Sequence, residues 1–213
     1  MAKQDRAIRT RRAILMAAAE TFEKHGYQAA TITQILKVAG VTKGALYFHF
    51  TSKEDLALGV LDAQEPPESV PEQLLKLQEL IDLGLLFSHR LRTSLLARAG
   101  VRLSMDQQAQ GLDRSGPFLR WQEATHRLLA QAKHNGELLT HVNPTETADL
   151  YVAAFAGIQA VSQTLTNYED LQKRYLTLQH HVLPSITTPS VLAALDLTPQ
   201  RTDELVRLAP YPL

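Results

Sequence analysis

Within about two helical turns the chain gathers a hydroxyl, an ammonium, a bare backbone position, a phenol and an imidazole: Thr42, Lys43, Gly44, Tyr47 and His49. Two short helices joined by about three residues around Gly40 have the spacing of a helix-turn-helix. Ile32, Ile35, Leu36, Val41 and Leu46 supply a small core between them, so Thr42, Lys43, Gly44, Tyr47 and His49 face outward. That mixture suits a major groove. A helix N-terminus with the Thr42 hydroxyl can meet phosphate. Lys43 can reach guanine O6 or N7, Gly44 lets a backbone approach closely, and Tyr47 can bond a phosphate or touch a thymine methyl. Lys53, with Thr51 and Ser52, can hold the backbone on the other flank. The alternative is an ordinary helical hairpin with a solvated basic face.

The charge pattern leans the same way. The chain is neutral overall, but residues 1–55 carry nine Lys or Arg against five Asp or Glu, a net of +4 balanced by −4 in the remainder. An uneven distribution of this kind suggests that the N-terminal quarter meets a polyanion. Other chemistries find no support. Without cysteine there is no disulfide scaffold, thiolate metal site or cysteine nucleophile. There is no G-x-S-x-G, H-E-x-x-H or G-K-[ST], and Thr42-Lys43-Gly44 has the wrong order for a phosphate loop. His180 and His181 are adjacent and diverge on a helix, which is poor metal geometry. The expectation is no catalytic site, no metal and no cofactor. No apolar run reaches the ~18 residues of a membrane span, and the basic N-terminus lacks the apolar stretch of a signal peptide, so a cytoplasmic protein is expected.

The elements that must position these residues are all helical, and the class is expected to be all-α. Ile14, Ala18 and Phe22 form one stripe of a first helix over Arg6–His25, with Gly26 as its cap. Thr31 and Gln34 form a capping box, Thr42 caps the third helix, and Thr51 or Ser52 opens a fourth that runs to about Gln64. Glu65-Pro66-Pro67-Glu68 breaks the chain there. By function the division expected is 1–52 for the helix-turn-helix unit and 53–213 for a larger helical unit. Ser69-Val70-Pro71-Glu72 predicts a long helix from Pro71 to Arg90 or beyond, and 106–116 reads as a loop. Pro117 starts another helix, Asn143-Pro144 starts one over 144–166, and Asn167 is read as the cap of the next.

Trp121, the only tryptophan, lies on an apolar helix with Phe118, Leu128 and Leu129 nearby in helical spacing. On pattern alone it is a core aromatic. Gln64, Gln159 and Ser162 are polar residues embedded in otherwise apolar helices. Each is either a satisfied buried group or a contact for a bound molecule.

The run T-x-x-x-I-x-x-x-A-G-V-T-K-G-A-L-Y-F-H-F-x-S-K-E-D-L, from Thr31 to Leu56, resembles the DNA-binding domain of TetR-family repressors. With R-A-G-V-R-L at 98–103 and G-P-F-x-x-W at 116–121, nearly the whole chain looks like the γ-butyrolactone receptors, which regulate antibiotic production and differentiation. The resemblance implies an all-helical repressor that binds palindromic operator DNA as a homodimer and is released by a small γ-butyrolactone-like effector. It assigns the DNA-facing set to Thr31, Thr33, Thr42, Lys43, Gly44, Ala45, Tyr47, His49 and Lys53. It puts Trp121 in the wall of the lactone pocket, with Gln64, Gln159 and Ser162 as candidate polar partners. It makes the helices 144–166 and 168–182 the dimer face, where Gly157 and Val161 are candidate contacts. A TetR-type regulator of efflux or metabolism sensing another amphiphile is the second reading, and a helical enzyme acting on a lactone the third.

Overall fold

In the computed structural model, which describes residues 2–62 and 70–208 with side chains from residue 6 onward, the helix signals become eleven helices. They are α1 (Ala2–Ala29), α2 (Ile32–Ala39), α3 (Lys43–His49), α4 (Lys53–Asp62), α5 (Lys76–Thr93), α6 (Leu95–Met105), α7 (Gly116–His134), α8 (Pro144–Thr166), α9 (Leu171–Ile186), α10 (Pro189–Leu192) and α11 (Arg201–Leu208). No strand forms among the described residues; an isolated bridge pairs Leu138 with Thr187. The all-α class is as expected.

The chain divides into two compact units. The first comprises Met1–Glu65 and Ser94–Pro117, and so holds α1 to α4 together with α6. Its core joins Ile14, Ala18 and Phe22 of α1 to Ile35, Leu46, Phe50, Leu56 and Leu61. Ala99 and Leu103 of α6 complete it. This packing unit is larger than the segment 1–52, because the apolar faces of α4 and α6 are needed to close the core. The second unit comprises Pro66–Thr93 and Phe118–Leu213. There α5 is buried along most of its length and meets α7, α8, α9 and α11 through Leu77, Leu80, Ile81, Leu128, Leu129, Tyr151, Tyr175, Leu183 and Leu205.

Several helix boundaries differ from expectation for tertiary reasons. The helix expected from Pro71 begins at Lys76. The buried carboxylate of Glu137, far along the chain, accepts the Lys76 and Leu77 N–H groups at 3.0 Å each, so a distant residue sets the start. The helix does not run on to Arg98: Ser94 is extended and its Oγ accepts from Ala97 N, opening α6. The stretch 106–115 is a loop, but Ala109 and Leu112 are buried in the core of the first unit, which anchors it. Asn167 does not open a helix. At φ 50° and ψ 46° it closes α8 in the left-handed region that Asn tolerates, and α9 starts at Leu171. Gln64, the Glu65–Glu68 break and Ser69 lie outside the described residues.

Candidate functional site

In the first unit, local sequence rules hold α2 and α3. Thr31 Oγ1 accepts from Gln34 N at 3.2 Å, while Thr31 N donates to Gln34 Oε1 at 2.8 Å. Gly40, at φ 64°, turns the chain and donates its N–H to Leu36 O, a conformation that a Cβ would strain. Thr42 Oγ1 then accepts from Ala45 N at 3.2 Å to start α3. Thr31 and Thr42 therefore carry capping roles, and both remain exposed.

Leu46 and Phe50 anchor one side of α3 in the core. The opposite side presents Thr42, Lys43, Gly44, Tyr47 and Phe48 to solvent, with Ala45 and His49 half-buried. Thr33 on α2 is also exposed. Lys43 Nζ stands 5.9 Å from the centre of the Tyr47 ring, and His49 meets the edge of Phe48 at 5.0 Å. Phe48 is 79 % exposed and was missed by sequence reasoning. Its signal was available: with Leu46 and Phe50 inward, position 48 must point out. A large apolar ring left in water on a helix otherwise polar on that face is suited to apolar contact with a thymine methyl. A Cβ built at Gly44 meets nothing within 4 Å, so nothing in the chain itself requires glycine there.

Lys53, a candidate phosphate contact, also bonds within the first unit. Its Nζ donates to Gln28 O at 3.1 Å and lies 4.6 Å from the centre of the Tyr27 ring, and burial lowers its pKa. It ties the first turn of α4 to the residues just after Gly26, where α1 kinks at φ 73°. The same junction is clasped from the α6 side. Asp106 Oδ2 accepts from Tyr27 N at 3.5 Å, and Gln28 Nε2 donates to Gln108 O at 3.0 Å.

In the second unit the sequence-predicted Trp121 is half-buried on α7 and opens a row of aromatic rings. Trp121 and Phe87 of α5 are 4.6 Å apart, Phe87 and Phe155 of α8 5.6 Å, and Phe155 and Tyr175 of α9 5.6 Å edge-on. Gly84 makes room for this row: a Cβ there would fall 2.2 Å from the Tyr175 ring. The row ends in polar groups. Tyr151 Oη lies 3.1 Å from Tyr175 Oη and donates to Gln179 Oε1 at 2.5 Å. Burial raises both phenol pKa values, so both stay protonated at neutral pH. Sequence reasoning missed Gln179, although it interrupts the buried stripe Leu176, Gln179, Leu183 of α9.

The two other described candidates for the pocket both lie on α8. Gln159 is buried on α8. Ser162, also buried, donates to Asp170 Oδ1 at 2.6 Å. Thr166 Oγ1 donates to the same oxygen at 2.7 Å, and Arg174 Nε donates to Oδ2 at 2.7 Å. These donors hold the Asp170 carboxyl well below the usual carboxylate range, Arg174 foremost. Ser162 thus belongs to the α8–α9 corner.

Along α8, Leu150, Ala153, Gly157, Val161 and Leu165 are exposed on one stripe. Leu150 and Leu165 are each about two-thirds exposed in a single chain, at 64 % and 68 %. Contiguous apolar surface of this kind marks a contact face. Among the described residues no group of three or more His, Asp or Glu is placed to hold a metal, and no helix is long and apolar enough to cross a membrane.

Comparison with known proteins joins both units to one lineage. Residues 14–60, from the inner half of α1 through most of α4, match the bacterial regulatory proteins of the tetR family. The A-factor receptor protein of Streptomyces griseus is 42% identical over 195 residues, 91% of this chain and 69% of that protein. The crystal structure of TylP, a tetR regulator from Streptomyces fradiae, superposes with a TM-score of 0.85 at 42% identity, covering 99% of this chain and 96% of that one. A γ-butyrolactone receptor described as ArpA-like superposes at 0.74 with 26% identity, covering 93% and 99%. A helix-turn-helix with an outward, polar third helix, on a chain alike to these regulators over nearly all its length, belongs to the tetR family of bacterial regulatory proteins.

Proposed function

We propose that this chain is a transcriptional repressor that holds palindromic operator DNA as a homodimer and lets go when a small γ-butyrolactone-type effector occupies its second unit. It thereby regulates antibiotic production or differentiation. It works in the cytoplasm, beside its DNA, by stoichiometric binding rather than turnover. The observation that carries the reading is the 42% identity with the A-factor receptor over 91% of the chain, which takes in the effector unit as well as the DNA-binding unit.

The geometry supports the division of labour. α3 enters the major groove with Lys43 and the Tyr47–Phe48 pair toward the bases, and Thr42, Gly44, Ala45 and His49 beside them. Thr31 and Thr33 meet phosphate from α2. Lys53 holds its junction with Gln28 while its remaining protons are available to a phosphate on the flank. A palindrome needs two heads about one helical turn apart, ~34–36 Å. The α8 stripe around Gly157 and Val161 supplies the dimer face. The effector's alkyl part lies against Trp121. Effector binding releases DNA only to the extent that it prefers a dimer whose heads are spaced differently.

A mobility-shift experiment on the protein's own promoter, with and without added lactone, tests this. Retarded DNA freed by lactone is the expected outcome. DNA freed by unrelated amphiphiles but not by lactones would move the chain to the efflux or metabolic regulators. Val161→Glu places an unpaired charge in the dimer face and is expected to sediment as a monomer that no longer retards operator. A parent that is monomeric at micromolar concentration sinks the dimer.

A further inference from the structure

The strongest unexplained group in the molecule is the side-chain amide of Gln179. It is fully buried, and its Nε2 has no hydrogen-bond partner among the described residues. We propose that this amide is the polar anchor of the effector site, donating to the carbonyl oxygen of a lactone-type ligand whose alkyl part lies along Phe155, Phe87 and Trp121. This rests on the reading of the chain as a lactone-released repressor.

The direction of the hydrogen bonds carries the argument. A phenol has one proton to give. Tyr151 gives its proton to Gln179 Oε1, so at the contact between the two phenols Tyr151 accepts, and Tyr175 shares its proton between Tyr151 Oη at 3.1 Å and the Leu80 and Ile81 carbonyls at 3.3 Å each. The relay therefore runs from Tyr175 through Tyr151 into Gln179. It fixes the amide with its oxygen satisfied and its N–H2 without an acceptor among the described residues. A relay of this kind also polarises the amide and makes its N–H groups better donors. A buried N–H2 without an acceptor is costly and rare in a native protein, and such groups persist where function calls for them.

Register places the apolar wall beside the anchor. On α8, Tyr151 and Phe155 are one turn apart; on α9, Tyr175 and Gln179 are one turn apart. Phe155 meets Tyr175 edge-on and continues through Phe87 to Trp121. Two facing helices thus present an aromatic residue and a polar residue side by side. The ligand this fits has one carbonyl acceptor and a hydrocarbon chain. Tyr151 and Gly84 are positioning residues: Tyr151 orients the amide, and Gly84 leaves room for the Tyr175 ring from which the relay starts.

The test compares a 2-alkyl-γ-butyrolactone with the matched alkyl tetrahydrofuran, which lacks the ring carbonyl. DNA release and the emission of Trp121, the single tryptophan, are the readouts. The parent is expected to need at least tenfold more tetrahydrofuran than lactone. Gln179→Met is expected to need at least tenfold more lactone than the parent and to lose the discrimination between the two. Free of ligand, it is expected to fold and to melt close to the parent temperature, because losing the unpaired N–H2 offsets losing the acceptor of Tyr151. Tyr151→Phe frees the amide without removing it and is expected to shift the lactone response several-fold. The proposal is overturned if Gln179→Met keeps the parent's discrimination, or if it fails to fold or melts far below the parent, which would make the amide a structural group. If lactone neither frees the parent from operator nor changes Trp121 emission, the lactone reading itself falls, and the assignment of Gln179 with it.

Discussion

The two units bury different things. Among the described residues, the buried polar side chains of the first unit are Thr21 and Ser104, and each donates to a carbonyl of its own helix, Ala17 O and Val101 O. Its chemistry is all on the outside. The second unit buries Gln78, Asp82, Glu137, Gln159, Ser162 and Gln179, and most of these reach across to another element. A unit that reads a polymer must leave its donors in water, where a groove can find them. A unit that encloses a small molecule needs desolvated groups, because only there does one hydrogen bond discriminate strongly.

That contrast is broken most severely at Asp82. This carboxylate is fully buried on α5, and Arg201 of α11 grips it with Nε at 3.0 Å and a terminal nitrogen at 2.5 Å, while Gln78 donates to it at 2.9 Å. Asp82→Ala leaves the largely buried Arg201 guanidinium with only the half-exposed Glu204 at 3.6 Å and is expected to cost about 3–5 kcal/mol of stability, read by urea unfolding. Were the loss below about 1 kcal/mol, as for a surface pair, the second unit would not depend on its buried charges.

Next in size is Lys43→Ala. It is expected to cost about 1–3 kcal/mol of operator binding, concentrated at one base position, with the melting temperature unchanged. An equal loss on every sequence would make Lys43 a phosphate contact instead. Thr42→Ala is expected to lower stability by about 1 kcal/mol, because Ala45 N loses its capping acceptor. Binding should fall by more than this where the hydroxyl meets phosphate as proposed; a loss equal to the stability change would limit Thr42 to capping.

Gly44→Ala sharpens the comparison because its two effects oppose. With open space around the new Cβ and a better helix former in place, stability is expected to rise by about 0.5–1 kcal/mol. Operator affinity is expected to fall, because the backbone can no longer approach as closely. Affinity kept or gained would remove Gly44 from the interface.

The smallest effect is at the α8–α9 corner. The Asp170 pKa is lowered in the folded state, so its contribution is present above the ordinary carboxylate value of about 3.9 and is lost as the pH falls below it. Asp170→Asn is expected to flatten the acid limb of the stability profile and leave the neutral region almost unchanged. An unaltered acid limb would show that the cluster does not report on folding.

What could be read in advance follows the reach of each signal. The Thr31–Gln34 box, the Gly40 turn, the Thr42 cap and the span 144–166 all stand as the sequence implied, because their partners lie within four residues. α5 does not begin where its local box said, since its cap is Glu137, about sixty residues away in the chain. Asn167 was legible as a helix boundary but not as which end, because Asn serves both as an N-cap and in the left-handed region. Trp121 was legible as a residue of interest, yet its ring partner Phe87 comes from α5 and the rings beyond it from α8 and α9.

The sequence by itself determined the helical class, the helix-turn-helix and the outward side of α3. Each depends on a period or a cap that closes within one or two turns. Only the tertiary structure decided that α6 packs with the first unit, that Lys53 bonds Gln28, that Ser162 serves a corner, and that Gln179 ends a relay from Tyr175. A buried polar residue has the same letter whether it caps, bridges or waits for a ligand; its role is set by which distant atoms fill its hydrogen bonds, and those are chosen by packing.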